Sequence, residues 1–296
     1  MSRDQIRQII DRRLPGAGMV PTGVQGVQLF RVTEPVACAP AVYEPTVVAI
    51  VDGAKEAILD GRRYIYDSER YLCCPMSMPV EAGTPTAAPD NPLLGVIVSL
   101  DTRVMTELSI ELESAVPTRK SGRSTPQSGL TFARWDAAFT DALHRLVQLG
   151  DDPTDTAVLG DSRLREFYYA VLKGEAGATA RGAFGVGNEI ARTIQFLSAH
   201  LNEPVTIDDM AAHAGMSRAV FHRKFKQATT LSPIQFAKSM RLNHAAMKIA
   251  GGMNVSEAAW EAGYVSSSQF SREFKRMYGQ SPKRWSQEAQ LPEGVL

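Results

Sequence analysis

The sequence predicts a two-domain α+β protein: a small N-terminal β-barrel or sandwich followed by amphipathic helices, then an all-α domain of two helix-turn-helix units. Three observations predict it. Short apolar and β-branched runs, separated by Gly, Asp and Pro, fill residues 21–101. Helical apolar spacing replaces them from about residue 102. The C-terminal third repeats itself at an interval of 48 or 49 residues, as in Ala214-Gly215 against Ala262-Gly263 and Phe221 against Phe270.

A chain of 296 residues can hold two cores. Its 44% hydrophobic and 22% charged content is that of a globular chain, neither disordered nor membrane-embedded. The longest apolar run, 93–100, is broken by Gly95 and Ser99 and is too short to span a bilayer. Residues 1–14 are charge-rich and hold no apolar signal core, so the expected compartment is the cytoplasm. Cys38, Cys73 and Cys74 are an odd, sparse set, which argues against a disulfide framework. The formal net charge of zero hides an asymmetry: residues 188–296 carry 13 Lys and Arg against 9 Asp and Glu, while residues 1–187 carry 19 against 23. Such a split fits a chain in which only one domain meets nucleic acid.

Strands are predicted at 27–32, 46–51, 57–59, 64–66, 71–74 and 95–100. Between them lie Glu44-Pro45, Asp52-Gly53, Asp60-Gly61 and Pro89-Asp90-Asn91-Pro92, with Asp60-Gly61 marking a hairpin. Residues 102–113 can form a helix, and 117–129 read as a loop. Phe132, Trp135, Phe139, Ala142, Leu146 and Leu149 recur at helical spacing. A loop at 150–161 separates them from a second stripe of Leu164, Phe167, Tyr168, Val171 and Leu172. Each stripe is either core against the strands or a dimer seam. The five glycines within 173–188 mark a linker between a regulatory and dimerisation domain, 1–172, and a C-terminal domain, 189–296.

Both copies of the repeat carry helix-turn-helix chemistry, over 206–227 and 255–278. In the first, Thr206 caps a helix that buries Ile207, Met210 and Ala211. Gly215 turns the chain, and Ser217 caps a second helix that buries Val220, Phe221 and Phe225. In the second, Ser256 is the expected cap, Gly263 the turn, and Ser266 or Ser267 the cap of a helix burying Phe270 and Phe274. The outward residues are Arg218, His222, Arg223 and Lys226 in one copy and Ser267, Ser268, Ser271, Arg272 and Lys275 in the other. Arg on such a face can donate two hydrogen bonds to guanine, and capped N-termini with nearby Lys suit phosphate. A continuous helix over 234–249, burying Leu242, Ala245, Ala246 and Ile249, is expected to hold the two units apart.

The arrangement resembles the AraC/XylS family of bacterial transcription regulators. The resemblance is carried by residues 207–225, Arg241-Leu242, Ala258-Ala259, Gly263-Tyr264, Phe270, Phe274-Lys275 and Ser281-Pro282, although Ala246 stands where the family often has Arg. It implies that Arg218, Ala219, His222 and Arg223 face one major-groove segment and Ser267, Ser268, Ser271 and Arg272 the next. Tyr43-Glu44-Pro45, Val51 to Lys55, and Tyr71-Leu72 through Pro79-Val80 are similar to the family's cupin-type regulatory domain. That implies a cupin-like barrel sensing a small molecule, with helices that dimerise. The implied partners are double-stranded DNA, a small-molecule effector, RNA polymerase and a second copy of the chain.

A metalloenzyme is the competing class for such a barrel. The first histidine is His144, so no histidine-based metal site is available in residues 1–143. There is no nucleophile elbow, P-loop or dinucleotide fingerprint. No catalytic residue, metal or cofactor is expected. Cys73-Cys74 is the unusual chemical feature: it is either small apolar packing or a redox or electrophile sensor aided by Arg70. Two functions follow: a ligand-responsive transcription regulator, or a DNA-binding protein whose barrel is only an oligomerisation module.

Overall fold

In the computed structural model residues 2–115, 129–185, 188–203 and 205–288 are described. The loop expected at 117–129 lies outside them except for Gly129. The chain opens with α1 (Ser2–Arg13), whose Ile6, Ile9 and Ile10 are buried at helical spacing. Nine strands follow: β1 (Gly18–Pro21), β2 (Val27–Val32), β3 (Val36–Tyr43), β4 (Thr46–Asp52), β5 (Ala54–Leu59), β6 (Arg62–Asp67), β7 (Arg70–Cys74), β8 (Met78–Thr84) and β9 (Leu93–Ser99). Next come α2 (Thr102–Ala115), β10 (Thr131–Arg134), α3 (Ala137–Gln148), α4 (Pro153–Lys173) and α5 (Gly177–Phe184).

The strands form two antiparallel sheets, β1-β2-β9-β4-β7-β10 and β3-β8-β5-β6, rather than one closed barrel. All six predicted strands are present, with β1, β3, β8 and β10 in addition. Pro40 lies in β3, an edge strand where the missing N–H is tolerated. The Asp60-Gly61 hairpin is realised: Leu59 pairs with Arg62, and both loop residues have positive φ, 51° and 72°. In β4 every residue from Thr46 to Val51 is buried, because one face meets the opposing sheet and α1 packs on the other. That double burial is why its sequence is continuously apolar instead of alternating.

The helical stripe from Phe132 to Leu149 is divided by the structure. Phe132 belongs to β10, and Asp136 caps α3 by accepting from the Phe139 N–H at 2.8 Å. Phe139, Ala142, Leu143, Leu146 and Val147 are buried within the chain against α1 and α4. They are core and cannot form a dimer seam. Much of the loop expected at 150–161 is helix, because Asp152 caps α4 and Pro153 occupies its first position. The glycine-rich linker is helical over α5, with Ala180, Ala183 and Phe184 buried. A Cβ at Gly177 would collide with the Leu172 carbonyl, so that glycine permits close packing.

The C-terminal region is helical: α6 (Glu189–Ala199), α7 (Ile207–His213), α8 (Arg218–Thr229), α9 (Pro233–Ala250), α10 (Val255–Glu261), α11 (Ser267–Tyr278) and α12 (Pro282–Glu288). Phe221, Phe225, Phe236 and Met240 belong to one apolar core that continues into the sheets. Leu242, Ile249, Phe270 and Phe274 form a separate small core under the second unit. The two meet along α9.

Candidate nucleic-acid interface

Local chemistry sets both helix-turn-helix units. Thr206 caps α7 in a capping box: its hydroxyl accepts from the Asp209 N–H at 3.2 Å, and its own N–H donates to the Asp209 carboxylate at 2.9 Å. The Thr206 hydroxyl also donates to the Asp209 carboxylate at 2.7 Å, and this bond, followed by that from the Thr206 N–H, holds the Asp209 carboxyl below its ordinary range. Gly215 turns at φ 62° and Gly263 at φ 80°. At Gly263 a Cβ would also meet the Leu201 carbonyl at 2.7 Å. Ser217 occupies the cap position of α8 without a side-chain cap bond. Asn254, not Ser256, caps α10, because its side chain accepts the Ser256 N–H at 2.8 Å, two residues on. Ser266 caps α11 and accepts from the Gln269 N–H at 3.2 Å.

The repeat in sequence is a repeat in structure. α7 and α10 have 7 residues each, and α8 and α11 have 12 each. The pairs Phe221–Phe225 and Phe270–Phe274 both point inward with ring centroids 5.3 Å apart. Burying those rings turns the opposite helix faces outward. Arg218, Ala219, His222, Arg223 and Lys226 are all exposed on α8. Ser267, Ser268, Arg272 and Lys275 are exposed on α11, and Ser271 is half-buried. Arg218 lies 3.5 Å from Asp208, an exposed pair of little net value. Arg223, Lys226, Arg272 and Lys275 have no ion-pair partner among the described residues.

A groove of about 490 Å³ between the units is lined by Arg218, Lys238, Arg241 and Gln269. Lys238 pairs with Glu273 at 3.2 Å, and Arg241 donates to the Glu203 carbonyl at 2.5 Å. Sequence reasoning did not single out Lys238 or Gln269. The signal was there for Lys238, which is one turn from Arg241 on α9.

Cys73 and Cys74 point to opposite faces of β7, yet both are fully buried, because helices cover the outer face. Burial pushes the Cys73 thiol up to about 12 and Cys74 well above its ordinary value. The Cys74 thiol donates to the Met76 carbonyl at 3.0 Å. On the inner side Lys55 is buried near the rings of Phe30 and Tyr43, at 5.7 and 5.8 Å, and burial lowers it to about 8. Among the described residues no three His, Cys, Asp or Glu side chains cluster as metal ligands, and no helix is long and apolar enough to cross a membrane.

Two capped helix-turn-helix units on one linking helix, behind a two-sheet domain, define a double helix-turn-helix regulator. The profile of the AraC-type transcriptional regulator N-terminus matches residues 23–179, and a helix-turn-helix domain profile matches 210–288. The chain belongs to the AraC-type transcriptional regulators, DNA-binding proteins with an N-terminal regulatory domain. It is 39% identical over 83 residues to the HTH-type transcriptional regulator MtrA of Neisseria gonorrhoeae, 28% of each chain. It is 28% identical over 102 residues to AlkR of Acinetobacter baylyi, 34% of this chain and 33% of that one. The chain thus matches about a third of the length of these curated relatives. Nearly the whole fold is shared with ToxT of Vibrio cholerae: an unsaturated fatty acid bound structure gives a TM-score of 0.55 at 10% identity, covering 92% of this chain and 95% of that one.

Proposed function

We propose that this regulator reads two successive major-groove segments and that its N-terminal domain changes that binding in response to a small molecule. Arg218, Ala219, His222, Arg223 and Lys226 contact the first segment, and Ser267, Ser268, Ser271, Arg272 and Lys275 the second. The observation that carries this is the pair of exposed faces on α8 and α11, repeated with the same caps, turns and ring geometry. The groove between them, with Arg218 and Arg241, suits the phosphate strand separating the two segments. Residues 1–172 form the regulatory part and 189–296 the DNA-binding part. Sensing is supported by ToxT, whose structures hold an unsaturated fatty acid in one case and (E)-4-(8-methylnaphthalen-1-yl)but-3-enoic acid in another.

The test is selection of bound sequences from a genomic DNA pool by the full-length protein, followed by footprinting. Two protected segments about 10 bp apart on one face are expected. Binding to any sequence equally, or to none, refutes the proposal. A second reading, assembly through the N-terminal domain, is favoured by the exposed Val158 and Tyr169 on α4.

A further inference from the structure

The β3–β4, β7–β8 and β9–α2 connections converge at one end of the sandwich. A cleft of about 780 Å³ separates them from α5 and α6. That volume falls within the roughly 300–1,000 Å³ of small-molecule sites. Its walls come from both halves of the chain.

One face of α6 forms the first wall. Asn188, Arg192, Gln195 and Ser198 follow at helical spacing and all line the cleft. Arg192 is exposed, and its side chain has neither ion pair nor hydrogen bond among the described residues. The Ser198 hydroxyl is buried and has no hydrogen-bond partner among them. A buried hydroxyl is costly when unpaired, so a polar group from outside the chain is the natural complement. The N-terminal end of α6 adds positive potential to the same wall.

The remaining surface is mainly apolar, with Met76, Leu100 and Phe184 contributing. Glu44 also lines the cleft, and its carboxylate accepts from the Ser77 hydroxyl at 2.5 Å. One free cation near one carboxylate is a poor match for a phosphate ester or a diacid. It suits a single negative charge on an apolar body.

We propose that this cleft binds an amphipathic monocarboxylic acid, with its carboxylate on Arg192 near the N-terminal end of α6 and its body on Met76, Leu100 and Phe184. The proposal rests on the ligand-responsive reading above and gives it a site and a chemical class. Glu44 acts as a charge filter against a second acidic group. Because α6 packs on α7 and α8, a ligand that holds α6 to the sandwich biases the first reading helix. The bias can be no larger than the ligand's preference for that arrangement.

The test is calorimetric titration of the full-length protein with octanoate, using octanol, octylamine and the diacid suberate as matched probes. Genomic DNA binding is measured on the same preparation. Octanoate is expected to bind at least tenfold tighter than each of the other three. Arg192→Gln, an exposed substitution, should weaken octanoate at least tenfold. Glu44→Gln should narrow the gap between octanoate and suberate. Absence of octanoate binding up to millimolar concentration, equal binding of octylamine, or octanoate binding unchanged in Arg192→Gln would each overturn the site. If any of these occurs while specific DNA binding persists, only the cleft assignment falls. Loss of specific DNA binding in wild type refutes the regulator proposal instead.

Discussion

The Tyr278 hydroxyl donates to the Asn243 Oδ1 at 2.7 Å, and the Asn243 amide donates in turn to the carbonyls of Ala41 and Val80, at 2.8 and 2.9 Å. Tyr278 ends α11, Asn243 lies on α9, and Ala41 and Val80 face each other across β3 and β8. A buried amide therefore ties the second reading helix to the N-terminal sandwich. The Val42 N–H, which donates to the Met247 Sδ at 3.2 Å, adds to the same junction.

Asn243→Ala should destabilise the full chain by about 1–3 kcal/mol, since it leaves two strand carbonyls and a hydroxyl without their partner. Asn243→Asp should cost more, because a carboxylate would face those carbonyls. Tyr278→Phe should cost about 1 kcal/mol, and less when Asn243 is already Ala. Urea unfolding of the wild type and the four variants measures these losses. Additive losses in the double variant would mean that the hydroxyl and amide are not coupled.

Arg223→Ala and Arg272→Ala should each relax base preference in a different half of the site, at about 1–3 kcal/mol where the contact is bidentate. Binding by the full chain should also fall steeply with salt, as Lys and Arg release phosphate counterions. Footprinting at two salt concentrations tests both. Uniform losses at every base position would assign these arginines to phosphate alone.

The second half of the fold was legible because its signals are local. Glycine turns, helix caps and paired Phe residues recur in both copies, and the structure puts Gly215, Gly263, Phe221 and Phe270 where the repeat does. Asn254 was missed because Ser256 is also a good cap, and only the realised backbone decides between them. In the first half, Phe132 and Trp135 matched a helical period by coincidence, one residue pairing in β10 and the other preceding the Asp136 cap. The Asn243 junction and the cleft beside α6 join residues far apart in sequence, and no local pattern announces either.

Lys55→Met should change how stability depends on pH. Burial lowers the folded amine from 10.5 to about 8, so between these values the unfolded chain binds more protons than the folded one. Stability from this group therefore rises with pH across that window, by roughly 3 kcal/mol in all. The buried cysteines and tyrosines contribute the opposite slope at high pH, because burial raises them. The difference between wild type and variant isolates Lys55. Parallel stability curves from pH 7 to 10.5 would show that the amine is not depressed.

Thr230→Gly should stabilise the first unit. Both reading helices end in a left-handed residue, Gly279 at φ 75° and Thr230 at φ 67°. A β-branched side chain is strained there by about 1–2 kcal/mol, partly offset by the extra entropy glycine loses on folding. A net gain below about 1 kcal/mol is expected from urea unfolding, with DNA affinity unchanged. A loss of stability would mean that contacts of the Thr230 side chain outweigh its strain.

Cys73 and Cys74 should resist alkylation in the folded protein. A sensing thiol must be reachable and partly ionised near neutral pH, and burial denies both conditions to this pair. Cys38 is partly exposed, but burial and then the charge of Glu56 push its thiol up to about 11. Iodoacetamide at pH 7.5 should therefore modify Cys38 first and slowly, with its rate still rising above pH 9. Cys73 and Cys74 should react only at the rate of unfolding, and urea should expose them together. Mass spectrometry of timed, quenched samples resolves the three sites. Rapid labelling of Cys73 or Cys74 in native buffer would restore the sensor alternative, because it would require an opening of β7 that brings the thiol to solvent. Their retarded labelling would instead assign the pair to the packing between the helices and the sheets, leaving the response to a non-covalent ligand.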